Sequence, residues 1–121
     1  MFSIDYRERI KFMSLADFII YLPTDSYSFQ ASGALMDTVI SKTPVIGIDT
    51  EFSSELRDKI GEFGFFFNSL SDLVKFVRET DVSLLFFKRN KFVHNLSKGV
   101  ERIREIGIGE LLAIRAEFVT R

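Results

Sequence analysis

The sequence predicts an α/β protein with about three short parallel strands joined by crossover helices. Three observations carry this. Short, nearly continuous apolar runs occur at residues 17–22, 44–48 and 64–67. Segments with helical spacing of apolar residues separate them, and no link is as short as a hairpin turn. Strands joined only by helices must run parallel, because a parallel pair needs a crossover. The expected architecture is a partial doubly wound, Rossmann-like sheet followed by C-terminal helices.

The elements follow in order. Ile10, Met13 and Leu15 among charged residues read as the end of a helix. Asp17-Phe-Ile-Ile-Tyr-Leu22 is rich in β-branched and aromatic residues and stops at Pro23, as a buried strand does. The polar stretch 24–30 reads as a loop. Ser32-Gly33 then opens a helix, with Leu35, Val39 and Ile40 on its apolar side and Gly33, Asp37 and Ser41 on a small, polar side. Pro44 starts the second strand, a position where proline is tolerated. Residues 51–60 are a charged helix ending near Gly61, and Gly64-Phe-Phe-Phe67 is the third strand. Ser71-Asp72 caps a helix through Val77 that turns Leu73, Val74 and Val77 inward. A helix follows Asp81, with Phe87, Lys91 and Asn95 along one line. Val100, Ile103 and Ile106 mark another, interrupted by Gly107 and Gly109, and Leu111, Ile114 and Phe118 mark the last.

Composition bounds the chemistry. The chain has 121 residues, enough for one core. Its formal net charge is −1, which speaks against a nucleic-acid domain. There is no Cys, so disulfides and thiolate chemistry are excluded, and a single His makes a protein-only zinc site a poor expectation. No apolar run approaches the ~18 residues of a membrane span. Charges stand where a leader peptide would be apolar. These features lead us to expect a cytoplasmic single-domain protein or fragment. Charge is uneven: residues 1–82 hold 8 basic and 13 acidic side chains, residues 83–121 hold 8 basic and 4 acidic. Phe occurs 14 times and Trp never, a large apolar load for a core or for a surface that a partner covers.

In a parallel sheet, ligands bind at the carboxyl ends of the strands. The loop after the first strand leads into the Ser32-Gly33-Ala34 helix start. Helix-start amides and the helix dipole suit a phosphate. Gly33 permits close approach, Ser32 can donate a hydroxyl, and a carboxylate at Asp37 can accept from ribose hydroxyls. The competing reading has Ser32 as a cap and Asp37 as a solvated helix residue.

Ala16-Asp17, Pro23, Asp37, Pro44-Val45-Ile46, Glu55-Leu56 and Gly64 fall in an order that resembles the C-terminal domain of group 1 GT-B glycosyltransferases. The resemblance covers roughly residues 8–79. Gln30-Ala31-Ser32-Gly33 is similar to a Gln-x-Ser-Gly turn found in a subset of them. It implies that residues 1–82 are the C-terminal half of a nucleotide-sugar-binding domain and residues 83–121 its C-terminal helices. It implies a retaining enzyme that takes a sugar from a nucleotide-diphosphate donor to a glycan or lipid-linked acceptor, as in polysaccharide biosynthesis. The donor is substrate, and no cofactor or metal is implied. Gln30, Ser32, Gly33 and Ala34 would hold the diphosphate, and Asp37 would match the second acid of a glutamate pair and hold the ribose. The first acid of the pair falls on Phe29, and Lys42 stands where the family carries a small glycine. The implied partners are the nucleotide-sugar donor and an absent N-terminal half. The alternative is a catalytically inactive remnant or interaction module with the same fold. A receiver-like or flavodoxin-like module would need an acidic cluster that the strand ends lack.

Other features are secondary. His94 reads as a helix-surface residue, because a general base would need a carboxylate and a pocket. Glu51, Glu55 and Asp58 read as a solvated helix face, although the resemblance puts Asp49, Thr50 and Glu51 near a donor. Lys88, Arg89 and Lys91 form a basic cluster suited to an anionic membrane at its inner face. Residues 17–22 read as an interior strand, so this edge should pair with another chain, such as a second copy, or be covered by the tail helices.

Overall fold

A computed structural model of the chain describes residues 6–22 and 28–106, and the side chains of these except 28–32 and 103–106. The described residues form a mixed α/β structure with three strands and five helices. In chain order these are α1 (Tyr6–Leu15), β1 (Ile19–Tyr21), α2 (Ser28–Ser41), β2 (Val45–Ile48), α3 (Glu51–Ile60), β3 (Gly64–Phe67), α4 (Leu70–Glu79) and α5 (Val82–Ile106). The strands pair in parallel in the order β1-β2-β3. Ile19, Val45 and Gly64 stand side by side, as do Tyr21, Gly47 and Phe66.

Side chains alternate across a strand, so register divides the sheet into two faces. Tyr21 and Val45 lie on one, in a core with Leu35 and Val39 of α2, Phe52 and Leu56 of α3, Phe63, and Leu96 of α5. Phe65 and Phe67 lie on the other. Their rings meet Phe76 of α4 at 4.7 Å and 4.9 Å between centroids, and Phe65 meets Phe92 of α5 edge-on at 5.1 Å. The phenylalanine load therefore builds most of the second layer. Gly47 and Gly64 bring the strands together at places without room for a side chain. A Cβ on Gly64 would stand 2.2 Å from the Val45 carbonyl oxygen.

α5 runs under the amino ends of the strands. Arg89 Nε donates to the Asp17 carbonyl at 3.1 Å, Asn95 Nδ2 to Glu62 at 2.8 Å and Arg102 Nη1 to Lys59 at 2.9 Å. The expected break near Val100 is absent: α5 is a single helix of 25 residues. Its Gly99 sits against Ile60, where a Cβ would come within 2.9 Å of the isoleucine side chain.

α4 also departs from expectation. Ser69, not Ser71, caps it by accepting from the Asp72 amide at 3.2 Å. Leu73 faces inward as expected, but Val74 and Val77 are exposed and Phe76 takes their place on the sheet. β1 is an edge among the described residues, with Ile20 53% and Leu22 51% exposed. The tail positions Leu111, Ile114 and Phe118 lie outside the described residues. No described helix is long and apolar enough to cross a membrane.

The end of α2 explains the unusual Lys42. Lys42 N–H donates to Val39 and Thr43 N–H to Thr38, both at 3.1 Å, the paired closing bonds of a Schellman motif. Its first residue beyond the helix must be left-handed, and Lys42 has φ 57°. Left-handed backbone costs a non-glycine residue about 1–2 kcal/mol, part of which glycine would return through its freer unfolded chain. Lys42→Gly should therefore raise stability by about 1 kcal/mol, read as a Tm higher by roughly 4 °C. An unchanged or lower Tm would show that the lysine carries no strain.

Candidate functional site

Three helix starts, those of α2, α3 and α4, follow the carboxyl ends of the strands. Those at α3 and α4 are closed by their own side chains. Thr50 Oγ1 accepts from the Ser53 amide at 3.1 Å, and Ser53 Oγ accepts from the Thr50 amide at 2.8 Å, a reciprocal capping box. Ser69 closes α4. The cap position of α2 lies outside the described residues. Its first-turn amides, at Ser28, Phe29 and Gln30, have no partner within the helix.

This shifts the expected phosphate position. The helix starts at Ser28, four residues before the expected Ser32. Ser32, Gly33 and Ala34 lie inside it, and their amides are spent on carbonyls of the preceding turn. Gly33 is half-buried and Ala34 exposed. The side chains of Gln30 and Ser32 lie outside the described ones.

Asp37 is also already partnered. Arg9 Nη2 reaches its Oδ2 at 2.9 Å and the Tyr6 hydroxyl donates to its Oδ1 at 3.2 Å, leaving the side chain 17% exposed. Arg9 stacks over the Tyr6 ring at 5.1 Å. Burial, followed by the charge of Asp37 and the bond to it, raises the Tyr6 pKa. Asp37 lies nine residues along α2, roughly 13 Å below its start at 1.5 Å per residue. It joins α1 to α2, and the structure does not bring it to the amides expected to hold a diphosphate.

The carboxyl edge has a second polar group, built on Asp49. Ser53 Oγ donates to its Oδ1 at 2.6 Å and Arg57 Nη2 to its Oδ2 at 2.9 Å. Arg57 lies over the Phe66 ring at 4.6 Å, and its other nitrogen, Nη1, is buried without a hydrogen-bond partner. Burial pulls the Asp49 pKa upward, but the bonds from Arg57 and Ser53 and the Arg57 charge outweigh it and hold the carboxyl below its ordinary value. Burial raises the pKa of Tyr21, at the end of β1, and the neighbouring Thr50 side chain opposes the rise. Glu55 and Asp58 are exposed, as is His94. Arg89 is turned to Asp17 rather than outward with Lys91.

Sequence reasoning missed a groove of about 460 Å³. It takes in all of β3, with Arg57 from one face of the sheet and Phe76 and Phe92 from the other. Residues from both faces can share a cavity only around a strand's free edge, so it lies on the outer side of β3, away from α2. The unbroken Gly-Phe-Phe-Phe run was the available signal. Among the described residues, no group of three or more His, Asp or Glu side chains is placed to hold a metal ion. Comparison with known protein families, with characterised proteins and with solved structures found no match to this chain.

Two outcomes separate structural from binding roles here. Asp37→Ala should speed hydrogen exchange in α1 and lower stability by about 1 kcal/mol or less, as expected for a partly exposed pair. Unchanged α1 exchange would remove its role as a clamp. Because the folded pKa of Asp49 is depressed, its contribution is present above the unfolded value, ~3.9, and is lost as pH falls through the folded one. The gap in urea midpoint between the native chain and Asp49→Asn should therefore shrink below about pH 4. A gap that stays constant to pH 3 would contradict the assignment.

Proposed function

We propose that this chain is the donor-binding part of a retaining glycosyltransferase that takes a sugar from a nucleotide-diphosphate donor to a glycan or lipid-linked acceptor. The observation that carries this reading is the place of α2, whose start follows β1 on the carboxyl edge of a parallel sheet. Ligands of such sheets bind at that edge, and helix-start amides suit a diphosphate. The motif order from Ala16 to Gly64 supports the same reading. The amides would stabilise the leaving diphosphate as its bond to the sugar breaks, and the fold would position the donor. The first turn, Ser28 to Gln30, is the phosphate-facing part in this proposal, with Ser32, Gly33 and Ala34 behind it. The enzyme would work in the cytoplasm.

The reading needs a complement. Among the described residues β1 is an edge strand, and α1 has no buried residue although it carries Phe12 and Leu15. α1 and β1 are the helix and second strand of a strand–helix–strand unit, so a further parallel strand beside β1 would complete it. We assign that strand to the N-terminal half of the domain, with a second copy of the chain as the other candidate. The acceptor site and further cationic groups would come with that half.

A second reading is favoured by one observation: Asp37 is clamped by Arg9 and Tyr6. A carboxylate already neutralised makes a weak ribose ligand, which suits an interaction module without catalysis. Titration with UDP and with GDP, followed by amide NMR, decides between the two. The donor reading expects shifts that saturate and centre on Ser28, Phe29 and Gln30. No shift with either nucleotide at millimolar concentration would overturn it and leave the interaction module.

A further inference from the structure

We infer that the corner between α4 and α5 docks on an anionic lipid bilayer. Val77, Val82, Leu84, Phe86 and Phe87 are all exposed, and they fall within eleven residues of chain. Phe87 is 76% exposed. Leu70 and Val74 continue the same line along α4, one turn apart and also exposed. Soluble monomers rarely gather so many exposed apolar side chains in so short a segment without a use for them.

The charges beside the patch choose the occupant. Phe87, Lys91, His94 and Lys98 recur at intervals of four, three and four on α5, and all are exposed. Phe92 and Leu96, which are buried, lie on the opposite side of the helix. From Val82 to Val100 the helix has no acidic residue. Lys75 and Arg78 add exposed cations on α4. A helix lying in a membrane interface has this arrangement: aromatic and aliphatic side chains entering the acyl boundary, and lysines reaching the phosphates from the flank. An anionic headgroup layer is the flat, negative surface that a row of cations matches. Glu79 and Asp81 are exposed at the corner itself, and Asp81 accepts from the Ser83 amide at 3.0 Å as it starts α5. Contact at the corner is therefore apolar, and attraction comes from the cations farther along the helix.

The inference does not depend on the donor reading, because its readout needs no nucleotide. The test is cosedimentation of the chain with vesicles of phosphatidylcholine containing about one third phosphatidylglycerol, and with pure phosphatidylcholine vesicles. Binding should be at least tenfold stronger to the anionic vesicles and should weaken as salt rises. Phe86→Ser with Phe87→Ser should lower it roughly tenfold, because two inserting side chains are lost. Lys91→Glu with Lys98→Glu should do the same through charge. These positions are exposed, so the circular dichroism of both variants should match that of the native chain. Equal binding to neutral vesicles, undiminished binding of the variants, or no binding at low salt would each overturn the inference. The last result would leave the patch to a protein partner.

Discussion

A short parallel sheet is stable only when both of its faces are covered, and in this chain one helix contributes to both. α5 places Phe92 against the aromatic face and Leu96 in the aliphatic core on the other side. It also donates from Arg89, Asn95 and Arg102 to carbonyls near the amino ends of β1 and β3 and at the end of α3. The Asp17 and Glu62 carbonyls lie just before strands and that of Lys59 in the last turn of α3, where backbone donors run short. α5 thus combines packing with closure of one end of the sheet. The opposite, carboxyl end is left to the loops, and ligand chemistry is expected there.

At that end, the local bonding of each helix start decides what it can do. α3 is locked by Thr50 and Ser53, and Asp49 and Arg57 are drawn into the same network. An anion approaching α3 would have to compete with the Asp49 carboxylate for its nearest guanidinium. α2 is held from its other end. Its lower half is secured to α1 through Asp37, and its end is closed through Lys42, Thr43 and the Met13 carbonyl. Anchoring at the lower end leaves the first turn as the part of α2 facing the carboxyl edge.

Much of this was legible in the sequence. The three strands were readable because each is a short apolar run bounded by Pro, Gly or a charged turn, and α3 because its apolar residues follow a helical period. The start of α2 was not, because the polar residues from Thr24 to Gln30 satisfy loop and helix alike. The role of Asp37 depends on Tyr6, 31 residues earlier, and no local pattern reports such a contact. A separate helix was expected from Val100, but α5 continues through Gly99, a packing glycine against Ile60. Val74 and Val77 were expected inward beside Leu73. Phe76 takes that place, its ring reaching both Phe65 and Phe67.

The exposed apolar residues fall into two groups with different physical meaning. Ile20 and Leu22 border a strand that is an edge among the described residues, and α1 beside them is held by polar contacts and by the half-buried Ile10 and Met13, without a fully buried residue. Hydrogen bonds of this kind contribute about 1 kcal/mol each, while Phe12 and Leu15 gain nothing from water. A helix so placed becomes stable when a neighbouring strand covers its apolar side, and that requires a directional partner: another polypeptide. The α4–α5 corner presents apolar side chains from helices, not a strand edge, and Asp81 accepts from the Ser83 amide at the start of α5. No directional partner is needed there, and a fluid apolar layer with anionic headgroups can satisfy it. In the proposals of a complementing strand and of a membrane contact, exposed apolar side chains are thus met by a polypeptide at the β1 edge and by a bilayer at the α4–α5 corner.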